Sequence, residues 1–241
     1  MFGVLFLHSF GSTNLEFQEF EEYLQEQGFR TYTPLLPGHG TSPKDLTKYT
    51  YKDWLLACEQ ALKNLNCQVT FLVGQITGAP LALTLAVNHP ELLGIVTLSG
   101  IISLPKWYTF YSNFLRSKTR MVSWRSASSK LLPFYNQLIG KKNNLYEEVP
   151  QIALKETFSL IQQTRKLLKK VNQPIYIFHS STTNDLSIQN AYLIFKNVSS
   201  KKKKLMFIEK GSPLMSVDVA RHIIFRETAS FFWSCIDLYQ M

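Results

Sequence analysis

Residues 69–86 of this 241-residue chain read VTFLVGQITGAPLALTLA. The first five are β-branched, aromatic or aliphatic, as in a buried strand, and the last eight have the apolar character of a buried helix. Gly74 and Gly78 frame the turn between them, with the G-x-S-x-G spacing of a nucleophile elbow. Such an elbow presents its central residue on a strained turn, and its glycines let neighbouring backbone pass closely. The central residue here is Ile76, which has no nucleophilic atom.

Short apolar strands and amphipathic helices alternate on both sides of this elbow. The other strand patterns lie near residues 4–7, 29–33, 94–99, 174–178 and 205–208. This alternation is typical of an α/β protein whose parallel strands are joined by right-handed crossovers. It stops between about residues 102 and 172, where we find helical patterns and no strand pattern. We therefore expect a mostly parallel sheet of about six strands, helices on both faces, and a helical cap over the carboxyl ends of the strands.

The expected cap also differs from the rest of the chain in charge. Residues 104–173 contain 13 Lys and Arg against three Glu, whereas the whole chain has a net charge of +9. We divide the chain into a first core part (1–103), a strongly basic helical cap or lid (104–173) and a second core part (174–241). A basic cap suits an anionic membrane surface or a protein partner. No recognition motif for nucleic acid accompanies the charge, so no nucleic acid is expected.

Composition excludes several classes of protein. The hydrophobic content of 45% and charged content of 18% are those of a globular chain. No apolar run is long enough for a membrane helix, and the N-terminus lacks the basic segment of a signal peptide, so we expect a cytoplasmic protein. The three cysteines have no metal-binding spacing, and no cluster of His, Asp or Glu has it either. We expect neither a metal nor another cofactor.

Motifs flanking the elbow resemble those of the α/β-hydrolase fold, specifically its small carboxylesterase and monoacylglycerol-lipase branch. They are HSFGST (8–13), LPGHGTSP (36–43), YKDW (51–54) and HPE (89–91). The resemblance extends over nearly the whole chain and is weakest in the cap. It implies an apolar pocket for an acyl ester, served by a Ser-His-Asp triad and an oxyanion loop.

All three triad positions implied by this resemblance carry other residues. The nucleophile position is Ile76, the acid position is Thr183 and the histidine position is Pro213. Ile76 cannot attack a carbonyl, Pro213 cannot take a proton, and Thr183 cannot stabilise an imidazolium. The leading hypothesis is a catalytically degenerate homologue, a pseudoenzyme that binds an acyl or small apolar ligand or acts as an interaction protein. The residues expected at the ligand pocket and oxyanion loop are His8, Phe10, Ile76, Thr77, Trp107 and Phe110.

Two alternatives remain open at this point. The first is an active carboxylic-ester hydrolase in which catalytic side chains at other positions replace the triad. The candidates for these side chains near the pocket mouth are Thr77, Asp185 and His222. Thr77 follows the elbow centre, Asp185 lies two residues beyond the acid position, and His222 lies nine residues beyond the histidine position. The other alternative is a peripheral membrane or scaffold protein that acts through the basic cap.

Overall fold

The computed structural model of the protein describes residues 1–103, 120–123, 146, 148–181, 188–209 and 211–240. Its strands are β1 (Phe2–Leu7), β2 (Arg30–Tyr32), β3 (Val69–Gln75), β4 (Gly94–Leu98), β5 (Met121–Ser123), β6 (Glu148–Pro150), β7 (Ile175–Ser180) and β8 (Lys203–Ile208). Six of them form one parallel sheet in the order β2-β1-β3-β4-β7-β8. The predicted parallel sheet of about six strands is confirmed.

Helices cover both faces of this sheet. They are α1 (Gln18–Glu26), α2 (Tyr51–Leu65), α3 (Gly78–Asn88), α4 (Gln151–Leu167), α5 (Gln189–Asn197) and α6 (Arg221–Gln240). Side chains of α1 and α6 share one buried cluster with the sheet, and those of α2 to α5 share the other. No helix in the described part of the chain is both long and apolar enough to cross a membrane.

The two clusters follow from the two-residue period of the strands. In β1, Val4 and Phe6 pack into the cluster under α1 and α6, whereas Leu5 and Leu7 pack into the cluster on the other face. All four side chains are fully buried. Burying a side chain of this size contributes about 1.5–3 kcal/mol relative to leaving it exposed, so an apolar run covered on both faces stabilises the centre of the sheet.

The sheet register brings several loops to one edge. Leu7 pairs with Gly74, and Gln75 pairs with Leu98, so β1, β3 and β4 end side by side. Their carboxyl ends are therefore followed by the loop after β1, the elbow after β3 and the segment after β4. Open parallel sheets bind ligands at this edge.

The structure corrects one expectation about the segment 104–173. We expected only helices there, yet β5 and β6 form an antiparallel pair in which Val122 lies opposite Val149. Two strands of three residues contain too little alternation to be seen in the sequence, and their pairing is a tertiary contact. The helix α4 packs on α3, where the hydroxyl oxygens of Thr164 and Thr84 lie 2.8 Å apart. The domain divisions at 103/104 and 173/174 remain predictions.

Candidate functional site

The elbow between β3 and α3 has the strained geometry that its glycines predict. Ile76 has a φ of 52°, in the left-handed region that a β-branched residue rarely adopts. A Cβ at Gly74 would lie 2.5 Å from the carbonyl oxygen of Gly78, and a Cβ at Gly78 would overlap the carbonyl oxygen of Leu7. Both glycines are therefore required for the close approach of β1, β3 and α3.

Ile76 is held on this turn by its backbone and its side chain. Its amide donates to the carbonyl of Leu98 at 2.8 Å, and its carbonyl accepts from the amide of Ile101 at 3.1 Å. The side chain is 7% exposed and packs in a small apolar cluster with Leu214, Ile101 and Val217. The elbow thus presents a hydrocarbon that is packed against its surroundings.

Pro213 lies beside this elbow. It is buried, and the next residue, Leu214, packs directly on Ile76. The carboxylate of Asp218 accepts a hydrogen bond from the amide of Ser212 and so fixes the loop that carries Pro213. The side chain of Pro213 offers neither a hydrogen-bond donor nor a base, and its assignment to the histidine position of the triad remains a prediction. Thr183, the third triad position, lies outside the described residues.

A buried polar network underlies the elbow and joins three loops. The side-chain oxygen of Gln75 accepts from the amide of Ser216 at 2.9 Å, and its nitrogen donates to Ser216 Oγ at 3.0 Å and to the carboxylate of Glu16. Glu16 also accepts from Ser9 Oγ at 2.8 Å and from the Ser9 amide at 3.2 Å. Burial raises the pKa of the Glu16 carboxyl, against the opposing effect of the hydrogen bonds from Ser12, Ser9 and Gln75.

Thr77 lies in the elbow, directly before α3, and its side chain contacts the predicted oxyanion loop after β1. Its Oγ1 accepts a hydrogen bond of 2.5 Å from the amide of Phe10, and its side chain is 5% exposed. In an acyl-transfer enzyme, such an amide points at the oxygen that becomes negatively charged in the transition state. Here the Phe10 amide is already paired with a protein hydroxyl, so a ligand oxygen has to displace Thr77 to reach it.

His8 fixes the start of the same loop. Its Nε2 accepts from the Leu36 amide at 3.1 Å, so its Nδ1 carries the proton and donates to the Ser9 carbonyl at 2.9 Å. Burial, and then the nearby His39, lower the pKa of His8 to about 3. His8 is therefore a neutral side chain whose two nitrogens are both used to shape loops.

A small cavity lies behind the elbow. Of the six expected pocket residues, His8, Phe10 and Thr77 line it, whereas Ile76 lies in the Leu214 cluster. The volume of the cavity is about 10 Å³. The other two expected pocket residues, Trp107 and Phe110, lie outside the described residues.

The relocated catalytic candidates are not brought together within the part of the chain that the structure describes. His222 is exposed at the start of α6, with its ring 6.2 Å from that of Phe225 in the cluster under α1 and α6. Thr77 lies instead in the cavity beside α3. Asp185 is outside the described residues. Among the described residues no three His, Cys, Asp or Glu side chains form a group that could hold a metal ion.

Two polar residues of the site escaped the sequence reasoning. In the sequence, Glu16 looks like a surface residue of an amphipathic helix, and no local pattern links it to Ser9 or Gln75. His39 belongs to the motif LPGHGTSP, but its place in the lining of the cavity has no signal in the sequence alone.

Several known proteins that resemble this chain are lipolytic enzymes or esterases. The chain is 27% identical over 239 residues to the thermostable monoacylglycerol lipase of Bacillus sp. (strain H-257). This alignment covers 95% of this chain and 90% of the lipase. A structure from work on the metagenome-derived lipolytic enzymes LipS and LipT superposes with a TM-score of 0.84 at 22% identity, covering 97% and 94% of the two chains. A thermostable carboxyl esterase from Bacillus coagulans superposes with a TM-score of 0.82 at 15% identity, covering 97% and 90%.

These similarities agree with the sheet order, the elbow and the motifs that flank it. The expected α/β-hydrolase fold and its esterase and monoacylglycerol-lipase branch are confirmed. Residues 3–212 match the family model described as serine aminopeptidase, S33. The chain belongs to this serine aminopeptidase S33 family of α/β-hydrolases.

Proposed function

We propose that this esterase- and monoacylglycerol-lipase-like α/β-hydrolase binds an acyl ligand without cleaving it through the serine relay of its fold. The observation that carries the proposal is the elbow, which keeps its glycines and its left-handed turn but holds the buried side chain of Ile76. Without nucleophile and base, oxyanion donors alone leave about 10³–10⁴-fold acceleration over water, and the Phe10 amide is already paired with Thr77.

The apolar cluster around Ile76 supplies the surface for such a ligand. Ile101 and Val217 pack on Ile76 and Leu214 and are only half-buried, so hydrocarbon remains accessible beside the elbow. Burial of apolar area there favours an acyl chain by about 25 cal/mol per Å² removed from water. The similarity to a monoacylglycerol lipase suggests a monoacylglycerol as the first ligand to test.

Calorimetric titration with a 1-monoacylglycerol below its micelle concentration tests this binding. Val217→Glu places a charge on the cluster and is expected to weaken binding at least tenfold. Val219→Glu is the matched control, because Val219 is two residues away and 74% exposed, so its binding should stay unchanged. Equal affinity in both variants, or absence of binding by the unmodified chain, contradicts the proposal.

The second candidate is an active carboxylic-ester hydrolase that uses relocated groups. It is favoured by the lipolytic relatives and by the hydroxyl of Thr77, one residue beyond the elbow centre. Hydrolysis of short and long acyl esters that is lost in Thr77→Val and kept in Thr77→Ser would establish this function. Hydrolysis by neither variant nor the unmodified chain would exclude it.

The basic segment of the cap suits an anionic surface as an additional partner. In its described part, Arg165, Lys166, Lys169 and Lys170 are exposed, and none of them pairs with an acidic side chain of the described residues. Co-sedimentation with anionic but not neutral liposomes, weakening as salt rises, would support a membrane role. Binding that ignores lipid charge would exclude it.

A further inference from the structure

Two groups of lysines that are separated in the chain meet at the edge of the sheet opposite the elbow. The first group lies just before β7, and the second runs from position 201 to position 204, where β8 begins. Ser199 joins them, because its Oγ donates to the Lys169 carbonyl at 2.7 Å and its amide donates to the Val171 carbonyl at 2.9 Å. Both groups therefore lie at the amino ends of the strands, whereas the elbow lies at the carboxyl ends. The exposed lysines of this edge are Lys169, Lys170, Lys196, Lys201 and Lys204.

The run 201–204 divides its charges between the fold and the solvent. Lys202 Nζ donates to the Ser234 carbonyl at 3.1 Å. Lys203 Nζ donates to the carbonyls of Phe195 and Val198 at 2.9 and 3.1 Å. These two ammonium groups are used inside the protein, and the other two of the run are exposed. Within the described ranges, none of the five exposed lysines pairs with an acidic side chain.

The acidic side chains near this edge do not cancel its charge. The carbonyl of His89 accepts from Gln173 Nε2 at 3.0 Å, which places His89 beside the start of β7. The two ring nitrogens of His89 lie 2.5 Å from a Glu59 oxygen and 2.7 Å from a Glu91 oxygen, so both carboxylates are already paired. Asp237, exposed near the end of α6, adds one negative charge. The five exposed lysines therefore leave this edge positive.

An exposed apolar tip lies beside these charges. The ring of Trp233 in α6 is 5.8 Å from the ring of Phe2 at the amino end of β1, so α6 ends at the same edge of the sheet. Its last turn carries Leu238 and Tyr239, which are 60% and 59% exposed. Leucine and tyrosine next to lysines suit the interface of a bilayer, where the apolar groups enter the headgroup layer and the lysines attract anionic lipid. A nucleic acid would use the charges but leave the leucine without a role.

We propose that the lysine edge, formed by the five exposed lysines and the last turn of α6, binds the chain to an anionic lipid bilayer. The elbow then faces the water, so its ligand reaches it from the solution. The inference rests on the membrane role proposed above, but it assigns the contact to the core at the amino ends of β7 and β8. It does not depend on acyl binding at Ile76.

Co-sedimentation at low salt tests the proposal on the full chain, with vesicles of phosphatidylcholine and phosphatidylserine in equal parts. Each lysine on such a surface is worth about a fivefold gain in binding, so Lys196→Gln/Lys201→Gln should bind about 25-fold more weakly. Neither residue belongs to the cap. The control Lys44→Gln/Lys52→Gln removes the same charge from two exposed lysines between β2 and the start of α2, and it should lose less than about threefold.

The apolar tip is tested by a second pair of variants. Leu238→Ser should weaken binding to the same vesicles about tenfold, because the leucine no longer enters the headgroup layer. Leu56→Ser should leave it unchanged, since Leu56 is similarly exposed but lies in α2, away from the lysine edge. Binding of a monoacylglycerol should be the same in all of these variants, which separates this proposal from acyl binding at the elbow.

Four outcomes overturn the proposal. The unmodified chain fails to bind the anionic vesicles, or the control pair of lysine substitutions loses as much binding as the pair on the lysine edge. A loss confined to Arg165→Gln/Lys166→Gln assigns the membrane contact to the cap and leaves the membrane role intact. Binding to a DNA duplex that the variant on the lysine edge weakens and Leu238→Ser does not, without binding to vesicles, assigns the surface to nucleic acid.

Discussion

Replacing Ile76 by Ala and by Gly separates two properties of the elbow, side-chain burial and backbone strain. Ile76→Ala removes a side chain that is 7% exposed and packed on Leu214, which costs about 2–5 kcal/mol of unfolding free energy. Ile76→Gly removes one further carbon, worth about 0.8 kcal/mol, and adds about 0.4–1 kcal/mol of chain entropy to the unfolded state. At φ 52°, however, glycine also relieves about 1–2 kcal/mol of left-handed strain.

The strain is measured by comparing this pair with the same pair at Ile95. Ile95 is fully buried in β4 and has no positive φ. At this position the Gly variant should therefore be less stable than the Ala variant by the full sum of the lost carbon and the added chain entropy of the unfolded state. At Ile76 the gap between Gly and Ala should be smaller by about 1–2 kcal/mol.

Urea denaturation of the four variants, extrapolated linearly to water, measures these differences in unfolding free energy. In thermal unfolding, the difference in melting temperature between the Gly and Ala variants should be about 2–8 °C smaller at position 76 than at position 95. Equal gaps at Ile76 and Ile95 would refute the assignment of stored strain to the elbow. A stable Ile76→Ala variant, within about 0.5 kcal/mol of the unmodified chain, would refute the burial of the side chain.

Three further variants address other parts of the site. Gly78→Ala should destabilise the chain by more than about 3 kcal/mol, because its Cβ overlaps the Leu7 carbonyl oxygen; circular dichroism and thermal unfolding measure this. Gln75→Met should cost about 2–6 kcal/mol in urea denaturation, because Glu16 and the Ser216 amide each lose a buried partner. For His89, partial burial lowers the pKa, but hydrogen bonds to two glutamates outweigh this effect and raise the pKa above 6.5. The stabilisation that protonated His89 gives the folded chain should therefore be present below pH 6.5 and lost as the pH rises through the folded-state pKa.

Matched controls make these outcomes decisive. Gly11→Ala has a positive φ but open space around its Cβ, so it should cost only about 1–2 kcal/mol. Gln18→Met removes an exposed pair with Glu22 and should change stability by less than about 0.5 kcal/mol. Between pH 5.5 and 8.5 the unmodified chain should lose unfolding free energy as His89 is deprotonated, and this part of the loss should be absent in His89→Gln. A loss of equal size in the variant and the unmodified chain would contradict the role of His89.

The elbow could be predicted from sequence because its determinants are local. Gly74 and Gly78 lie four residues apart between a strand pattern and a helix pattern, and the clash that Gly74 avoids is with the backbone of Gly78 in the same turn. The clash that Gly78 avoids is with the Leu7 carbonyl in β1, a contact between distant segments that this pattern alone does not predict. The two-sided burial of the strands likewise follows from short apolar runs. The fold therefore followed from patterns within single segments.

The polar chemistry of the site could not be predicted in the same way. The Gln75 side chain joins Glu16 and Ser216, which lie 59 and 141 residues away in the chain. Thr77 was predicted at the pocket from its place beside the elbow centre. The pairing of its hydroxyl with the Phe10 amide is a contact between loops after two different strands, which no local pattern predicts. Such contacts depend on the register of the sheet, which a single sequence does not specify.

The most direct test of the central claim is product analysis with a bound ligand. The purified chain is saturated with a 1-monoacylglycerol, and free fatty acid and recovered monoacylglycerol are measured over time beside a sample without protein. We expect stoichiometric binding, full recovery of the intact ester and no fatty acid above the protein-free rate. Fatty acid release that is proportional to protein concentration and abolished by Thr77→Val would contradict the account.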